Sequence, residues 1–219
     1  NDSLYTTPAT VLSDNLSKFK CVVTNSFGSD TSNAATLYVT ASGNRVTEGL
    51  ILLYNFNEAG GDTVLDNSGY GTPLGMKIFN TSAVAWTPKG LATNDKAFIR
   101  TNTATKVINA STTSNEVTVE AWVVPALSSQ APLSRIVTLA EGYDNQNYAI
   151  MQSGDRYVVR MRSTEPLPSD IGNGIATNPG TVTTQLTHLL FTRRSDGISY
   201  FYINGNLAFV DTGGGDFSN

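Results

Sequence analysis

The chain of 219 residues contains one cysteine, Cys21, and one histidine, His188. A single cysteine cannot form an internal disulfide bond, and a single histidine cannot build a histidine-rich zinc site. No motif around either residue indicates a Cys–His catalytic pair. The scarcity of these two residue types therefore excludes a disulfide scaffold and most zinc chemistry within this chain.

Charge is also scarce, because only 15% of the residues are charged, against about a quarter in a typical soluble domain. The 14 basic and 18 acidic residues give a net charge of −4. Nucleic-acid binding requires clustered Lys and Arg to neutralise phosphates, so this balance predicts no nucleic-acid partner. No apolar run reaches the roughly 18 residues that span a bilayer, which predicts no membrane span. Hydroxyl and amide side chains dominate instead, as is common in extracellular β proteins.

Alternating and β-rich runs recur along the chain, whereas helical periodicity is almost absent. This pattern predicts an all-β protein. The predicted strands cover residues 18–24, 35–40, 50–56, 116–124, 136–140, 148–152, 156–162, 186–193, 198–204 and 207–211. Asp196-Gly197 and Asn204-Gly205 suit hairpin corners with positive φ, so the last three strands are predicted to form a meander.

A small, polar stretch near residue 41 indicates a domain boundary. We interpret residues 1–41 as one module, 42–48 as a linker, and 49–219 as a second module. The first module provides two or three strands, which is too few for a stable β-domain on its own.

A cysteine-centred run, DNLSKFKCVVTN at residues 14–25, is followed by a second β-rich run at residues 35–39. These runs resemble the C-terminal half of an immunoglobulin-like domain of bacterial surface proteins, whose motif reads D-x-G-x-Y-x-C. Leu16 replaces the usual glycine and Phe19 the usual tyrosine. The resemblance implies a partner cysteine on an earlier strand, and hence a piece of a longer chain of β modules. The alternative is that Cys21 is a free, buried, small hydrophobe.

Three motif groups follow in order in the second module: GLILLYNFNE with DNSGYG at 49–71, VTVEAWV at 117–123, and THLLFTR with SYFYING at 187–205. They resemble the laminin-G-like or concanavalin A-like jelly roll, with Gln185-Leu186 where a tryptophan usually stands. The resemblance implies an antiparallel jelly-roll β-sandwich. Family members usually run one or two strands further, which implies truncation at the C-terminal end.

Carboxylate spacing distinguishes a binding module from a glycoside hydrolase, which this fold also hosts. Retaining hydrolysis needs two carboxyl groups about 5 Å apart, and jelly-roll glucanases supply them through E-x-D-x-x-E. No such run occurs, and Glu120 has no second acid two or four residues later. The sequence therefore predicts that the protein is not an enzyme. A hydrolase whose second carboxylate comes from a distant loop stays open as an alternative.

Several other residues have both a structural and a functional interpretation. Trp122 could stack on a sugar, but we favour packing in the core. His188 is interpreted as a structural histidine on an inner strand. Arg156, Arg160 and Arg162 alternate with apolar residues, which favours a solvated arginine face above a buried apolar one over an anion site.

Asn57, Asp62 and Asp66 cluster around Gly60-Gly61, whose flexible backbone allows tight wrapping. Ca²⁺ takes six to eight oxygen ligands, often from irregular loops, and related folds commonly carry one structural calcium ion. These residues are therefore the candidate ligands of a structural Ca²⁺. The alternative is that they form Asx turns by bonding their own backbone.

A polar loop that includes Tyr143, Asp144, Asn145 and Asn147 is the candidate ligand-binding site, because amide and carboxylate oxygens pair with sugar hydroxyls and an aromatic ring packs on a sugar face. The sequence predicts an extracellular or cell-surface modular protein, with a role in adhesion, that binds glycans or a cell-surface protein through such rim loops. The alternative is a spacer or assembly unit of a large adhesin, sheath or filament.

Overall fold

In a computed structural model, which describes residues 5, 7–8, 10–14, 16–37, 46–94, 96–141, 146–164 and 173–218, the chain forms two units. The first unit is Asn1–Gly49 and the second is Leu50–Asn219. None of the helices among these residues is both long and apolar enough to cross a membrane.

Among its described residues, the first unit contains a 3-10 turn at Leu12–Asp14 and four short strands: β1 Lys18–Phe19, β2 Val22–Asn25, β3 Gly28–Thr31 and β4 Ala35–Thr36. β1 pairs with β4, while β2 and β3 form a hairpin. Every residue of that hairpin is exposed, and so is Cys21. The interpretation of Cys21 as a buried hydrophobe is therefore wrong.

The second unit is built mainly from strands, which confirms the all-β prediction. The strands are β5 Thr63–Val64, β6 Met76–Ile78, β7 Val84–Thr87, β8 Gly90–Thr93, β9 Ile99–Arg100, β10 Val117–Val123, β11 Gln130–Ala140, β12 Gln146–Gly154, β13 Arg156–Met161, β14 Asn173–Ala176, β15 Thr187–Arg193, β16 Ser199–Ile203 and β17 Asn206–Asp211. A 3-10 turn at Thr81–Ala83 precedes β7, and α1, the one α-helix in the described part of this unit, covers Thr105–Ser114.

The strand predicted at residues 50–56 is wrong. In this run the structure forms a single isolated bridge, between Tyr54 and Asp66. The backbone then turns into the left-handed region at Phe56, where φ is 53°. An apolar run becomes a strand only where a neighbour completes its hydrogen-bond ladder. Among the described residues, backbone pairing of this run is limited to the Tyr54–Asp66 bridge and the bond from the N–H of Asn67 to the carbonyl of Leu53.

Two four-stranded antiparallel sheets form a jelly-roll β-sandwich, one with the order β10-β15-β16-β17 and the other with the order β11-β12-β13-β14. The predicted C-terminal meander is confirmed, because β15, β16 and β17 are consecutive neighbours. Both sheets contribute side chains to one core, which consists of Val119, Ile150, Tyr157, Val159, Val182, Leu189, Phe191 and Phe201. Since successive side chains alternate across a strand, each sheet also has an outer face that points away from this core.

Candidate functional site

The outer face of the β10-β15-β16-β17 sheet carries an exposed tryptophan. Trp122 lies on β10 with 61% of its surface exposed. Its indole stacks on the imidazole of His188, the directly opposite residue on β15, with ring centroids 4.4 Å apart and planes 23° apart. The prediction that Trp122 packs in the core is therefore wrong. Val119 and Val123 face the core instead, and strict alternation places Trp122 on the other side.

His188 is held by contacts in addition to this stack. Its Nε2 donates a hydrogen bond to Glu120 Oε1 at 2.8 Å, and its backbone N–H donates to Asn204 Oδ1 at 2.9 Å. The imidazole therefore has the partners that a structural histidine requires, but it lies on the outer face rather than in the core. This hydrogen bond and the stack together fix the ring on which Trp122 rests.

Two tyrosines continue the aromatic surface on β16. The rings of Tyr200 and Tyr202 have centroids 6.4 Å apart and planes 22° apart, and both residues are partly exposed. Tyr202 lies opposite Leu190 on β15, and Tyr200 lies opposite Thr192. We call this surface the aromatic face and define it by Thr118, Glu120, Trp122, His188, Leu190, Thr192, Tyr200 and Tyr202.

Most of the predicted ligand loop lies outside the residues that the structure describes. Tyr143, Asp144 and Asn145 are not among the described residues. Asn147 is exposed near the start of β12, and its backbone carbonyl accepts a hydrogen bond from the N–H of Arg162 at 2.7 Å. The rim-loop site therefore stays a prediction.

Asp66, a predicted calcium ligand, is almost fully buried, with 1% of its side chain exposed. Its Oδ2 forms an ion pair with Lys106 of α1 and accepts the N–H of Leu74 at 2.9 Å. Its Oδ1 accepts the N–H of Ser68 at 3.0 Å and that of Leu53 at 3.3 Å. The bond to Ser68, two residues on, is the contact that the Asx-turn interpretation predicts.

The electrostatics of Asp66 follow from these contacts. Burial alone would raise the pKa of its carboxyl group, because the charged form loses its hydration. Hydrogen bonds from Lys106, Leu74 and Ser68 outweigh this cost and hold the pKa of Asp66 well below its usual value. The carboxylate is therefore charged and fully partnered at neutral pH.

The other predicted ligands are placed differently. Asp62 pairs with Lys77, and this hydrogen bond lowers the pKa of the Asp62 carboxyl group. Asn57 is exposed. One buried oxygen in this loop, Oε2 of Glu58, has no hydrogen-bond partner. This unpartnered carboxylate oxygen is the one feature of the described loop that favours a bound cation. Nowhere in the described parts of the chain do three His, Cys, Asp or Glu side chains gather as metal ligands.

A calcium ion held by Asn57, Asp62 and Asp66 would have to displace lysine from both carboxylates. The arrangement in the structure does not fit that ion, and we derive no function from it. The calcium site itself stays a prediction.

The outer face of the β11-β12-β13-β14 sheet carries the predicted arginines. Arg156 is exposed, while Arg160 and Arg162 are partly exposed. Buried Tyr157 and Val159 point to the core, which confirms the predicted division of this strand. We call this surface, together with Arg135, the arginine face.

Arg160 lies close to the neighbouring strand β14. A Cβ atom added to Gly174 would come within 3.4 Å of Cγ and Nε of Arg160, so the absence of a side chain at Gly174 makes room for the arginine. The four strands of this sheet contain no Asp or Glu.

Comparison with known proteins identifies the second unit. A family model described as the concanavalin A-like lectin/glucanases superfamily matches residues 100–219, which is more than half of the chain. The matched segment includes α1, both four-stranded sheets and the whole aromatic face. Searches of curated proteins and of solved structures returned no significant match. The immunoglobulin-like half stays a prediction, whereas the jelly-roll resemblance is confirmed: the chain belongs to the concanavalin A-like lectin/glucanases superfamily.

Proposed function

We propose that the second unit binds carbohydrate through the aromatic face, with Trp122 as the principal contact. The observation that carries this proposal is that the indole of Trp122 is exposed while its stack on the imidazole of His188 holds it in place. When a ligand covers an exposed indole, removal of its apolar surface from water contributes favourably to the free energy of binding. A concanavalin A-like lectin/glucanase domain fits a carbohydrate-binding or structural module, and a sugar ring offers an apolar C–H face that matches the indole.

Polar groups beside the indole suit sugar hydroxyls. Glu120 lies two residues from Trp122 on the same face, about 7 Å along the strand, and 37% of its side chain is exposed. A carboxylate accepts hydrogen bonds from hydroxyl groups, and charge-assisted bonds of this kind are roughly twice as strong as neutral ones. Because His188 already bonds Oε1, the carboxylate is positioned before a ligand arrives.

The acidic residues of this face support binding rather than hydrolysis. Glycosidases place their two carboxyl groups roughly 5 to 9.5 Å apart. Glu116, the next acid on this side of β10, lies four residues from Glu120, which is about 13 Å between Cα atoms in a strand. Its Oε1 accepts the N–H of Ser195. We therefore infer a non-enzymatic function for this face.

The proposed setting is the cell surface or the extracellular space, with adhesion as the role. The low content of charged residues and the two successive β units support it. A second candidate function, an assembly unit of a larger surface structure, is supported by the first unit. Its hairpin exposes Val22, Val23 and Phe27, and the last of these is 96% exposed.

Binding to soluble xylan, β-glucan, galactan and mannan in affinity gel electrophoresis tests the glycan proposal. We expect at least one polysaccharide to retard the wild type and Trp122→Ala to lose most of that retardation. Phe98→Ala is the matched control, because Phe98 is 65% exposed and is not on a strand of the sheet that carries the aromatic face. Equal retardation of the wild type and Trp122→Ala, or no retardation by any polysaccharide, would refute the proposal.

A further inference from the structure

The arginine face carries three arginines in one line along a strand. Arg156, Arg160 and Arg162 alternate with residues that pack on the core, so they lie on the same side of β13 and of its continuation. The backbone N–H of Arg162 bonds the carbonyl of Asn147 at 2.7 Å, which keeps Arg162 in the ladder with β12 after β13 ends. The three positions are therefore separated by multiples of the same-face repeat of a strand, about 6.8 Å.

The guanidinium groups of these three arginines are uncompensated in the described structure. None of their nitrogens forms a hydrogen bond or an ion pair with a described residue. The nearest acid in the sequence, Asp155 at the turn before β13, instead accepts the N–H of Gly180 at 2.9 Å. By contrast, Arg194 at the end of β15 pairs with Asp196 at 3.1 Å. A chain with a net charge of −4 thus presents one line of unpaired positive charge.

The other residues of this sheet distinguish between kinds of anionic ligand. The aromatic residues of its four strands are Tyr148 and Tyr157, and both pack on the core, so the face gives sugar rings and nucleic-acid bases no ring on which to stack. Among the described residues of these strands, no large apolar side chain is exposed that could insert into a bilayer. The surface favours carboxylates on a polypeptide, which require neither stacking nor insertion.

We propose that the arginine face binds an extended acidic segment of a partner protein, which lies along β13 with its Asp or Glu side chains on Arg156, Arg160 and Arg162. A planar guanidinium binds a carboxylate through two parallel hydrogen bonds. An extended polypeptide repeats its side chains on one face at about 6.8 Å, the same period as the strand beneath it. Acids at every second position therefore match all three arginines. This inference does not depend on the glycan site.

Fluorescence anisotropy with labelled peptides tests this inference. The probe is a peptide of eight Glu-Thr repeats, and a peptide of eight Gln-Thr repeats is its uncharged counterpart. We expect the Glu-Thr peptide to bind at low salt and to bind more weakly as NaCl is added, because salt screens exposed charges. The Gln-Thr peptide should not bind.

A second acidic peptide tests the match of periods. Four Glu-Glu-Thr-Thr repeats have the composition of the Glu-Thr peptide, but when extended they align acids with only two of the three arginines. Their affinity should be about 1.5- to fivefold lower, the contribution of one exposed charge pair. Equal affinity for the two acidic peptides would overturn the extended alignment along β13.

Substitutions locate the binding surface. Arg160→Gln combined with Arg162→Gln should weaken binding of the Glu-Thr peptide about two- to twentyfold, the contribution of two exposed pairs. Arg156→Gln, at an exposed position, should weaken it about 1.5- to fivefold and supports the same conclusion if the double variant does not fold. Lys18→Gln combined with Lys20→Gln is the charge-matched control, because both lysines are exposed in the first unit.

The control variant should bind the Glu-Thr peptide like the wild type. An equal loss in the lysine and arginine variants would show that net charge alone drives binding, and would overturn the inference. Binding to polygalacturonate or to phosphatidylglycerol vesicles without binding to the peptide would assign the face to another kind of polyanion and would also overturn it. Because neutral polysaccharides and Trp122→Ala test the glycan site separately, neither result bears on the proposed function.

Discussion

The aromatic face and the arginine face are the outer surfaces of two sheets that share one core, yet they treat their apolar side chains differently. On β12, the outward-facing residues Ala149 and Met151 are fully buried. They lie opposite Arg160 and Arg135 in the strand register. Long arginine side chains can cover apolar surface with their methylene groups while the charged end stays in water. On the other sheet, Trp122 is left uncovered.

Apolar side chains on the outer side of β12 are covered, whereas the indole of Trp122 is left exposed and available to a ligand. The inner faces of both sheets must bury apolar side chains, so they resemble each other. The outer faces do not share that core, and the proposed glycan site lies on one of them. Four substitutions or measurements test the comparison, from the largest expected effect to the smallest.

Phe201→Ala should separate the inner side of β16 from its outer side. Phe201 is fully buried in the shared core, and truncation of a buried phenylalanine typically costs about 3 to 5 kcal/mol. Tyr202→Ala, its neighbour on the aromatic face, should cost much less free energy of unfolding. Urea unfolding of both variants would measure the difference. Similar losses for both would show that the aromatic face is part of the core.

Asp66→Asn should reduce stability at neutral pH without touching either face. The variant leaves Lys106 beside an uncharged group, and breaking such a buried pair costs about 3 kcal/mol. Because the folded protein lowers the pKa of Asp66, its stabilising effect is present above about pH 4, the unfolded value, and is lost as the pH falls further. The stability difference between wild type and variant should therefore shrink below pH 4. Urea unfolding at pH 7, 4 and 3 would measure it.

Asp62 and Asp216 also have lowered pKa values, so both proteins should lose stability in acid. Only the difference between the two proteins reports on Asp66. Stability curves that stay parallel down to pH 3 would contradict the assignment.

Calcium should change stability little. Lys106 and Lys77 already neutralise Asp66 and Asp62, so we expect the thermal unfolding midpoint to be the same with calcium and with excess chelator. A bound ion at a hundredfold excess over its Kd would raise the midpoint by roughly 5 to 10 °C. A shift of that size would show that calcium binds the folded protein and would contradict this expectation.

Arg160→Gln combined with Arg162→Gln should have the smallest effect on glycan binding. Both residues lie on the sheet opposite to the aromatic face, so retardation by a neutral polysaccharide should match the wild type within twofold. Affinity gel electrophoresis of the double variant beside Trp122→Ala would show the contrast. A loss as large as that of Trp122→Ala would move the proposed binding site to the arginine face.

Most strands of the sandwich were predictable because alternation and turn chemistry are local, but the four-residue strand β14 was not predicted. β10 and β15 follow a period of two, and Gly197 and Gly205 have φ values of 87° and 78° at the two hairpin corners. α1 was not predicted, because its sequence TKVINASTTS is rich in Thr, Ser and Asn, which are weak helix formers. Strands β5 to β9 have two to four residues each, too few for a periodic pattern to be recognised.

The candidate site was predictable only in part. Alternation placed Glu120 and Trp122 on one side of β10, but apolar residues occurred on both sides, so the covered side remained open. The carboxylate beside Trp122 was the signal for the solvent side, since an acid is rarely buried without a partner. No local signal linked Trp122 to His188, which is 66 positions later in the sequence.

The amino-acid sequence by itself determined the all-β class, the meander of β15 to β17 and the alternation of each long strand, because these depend on side-chain period and turn conformation. Only the tertiary structure decided that Trp122 stacks on His188 and stays exposed, and that Lys106 forms an ion pair with Asp66. It also decided that Arg193 is buried and bonded to Asn115, Gly214 and Gly215. Each of these contacts joins residues far apart in the chain. Their partners are chosen by how the sheets pack and pair, which no local pattern records.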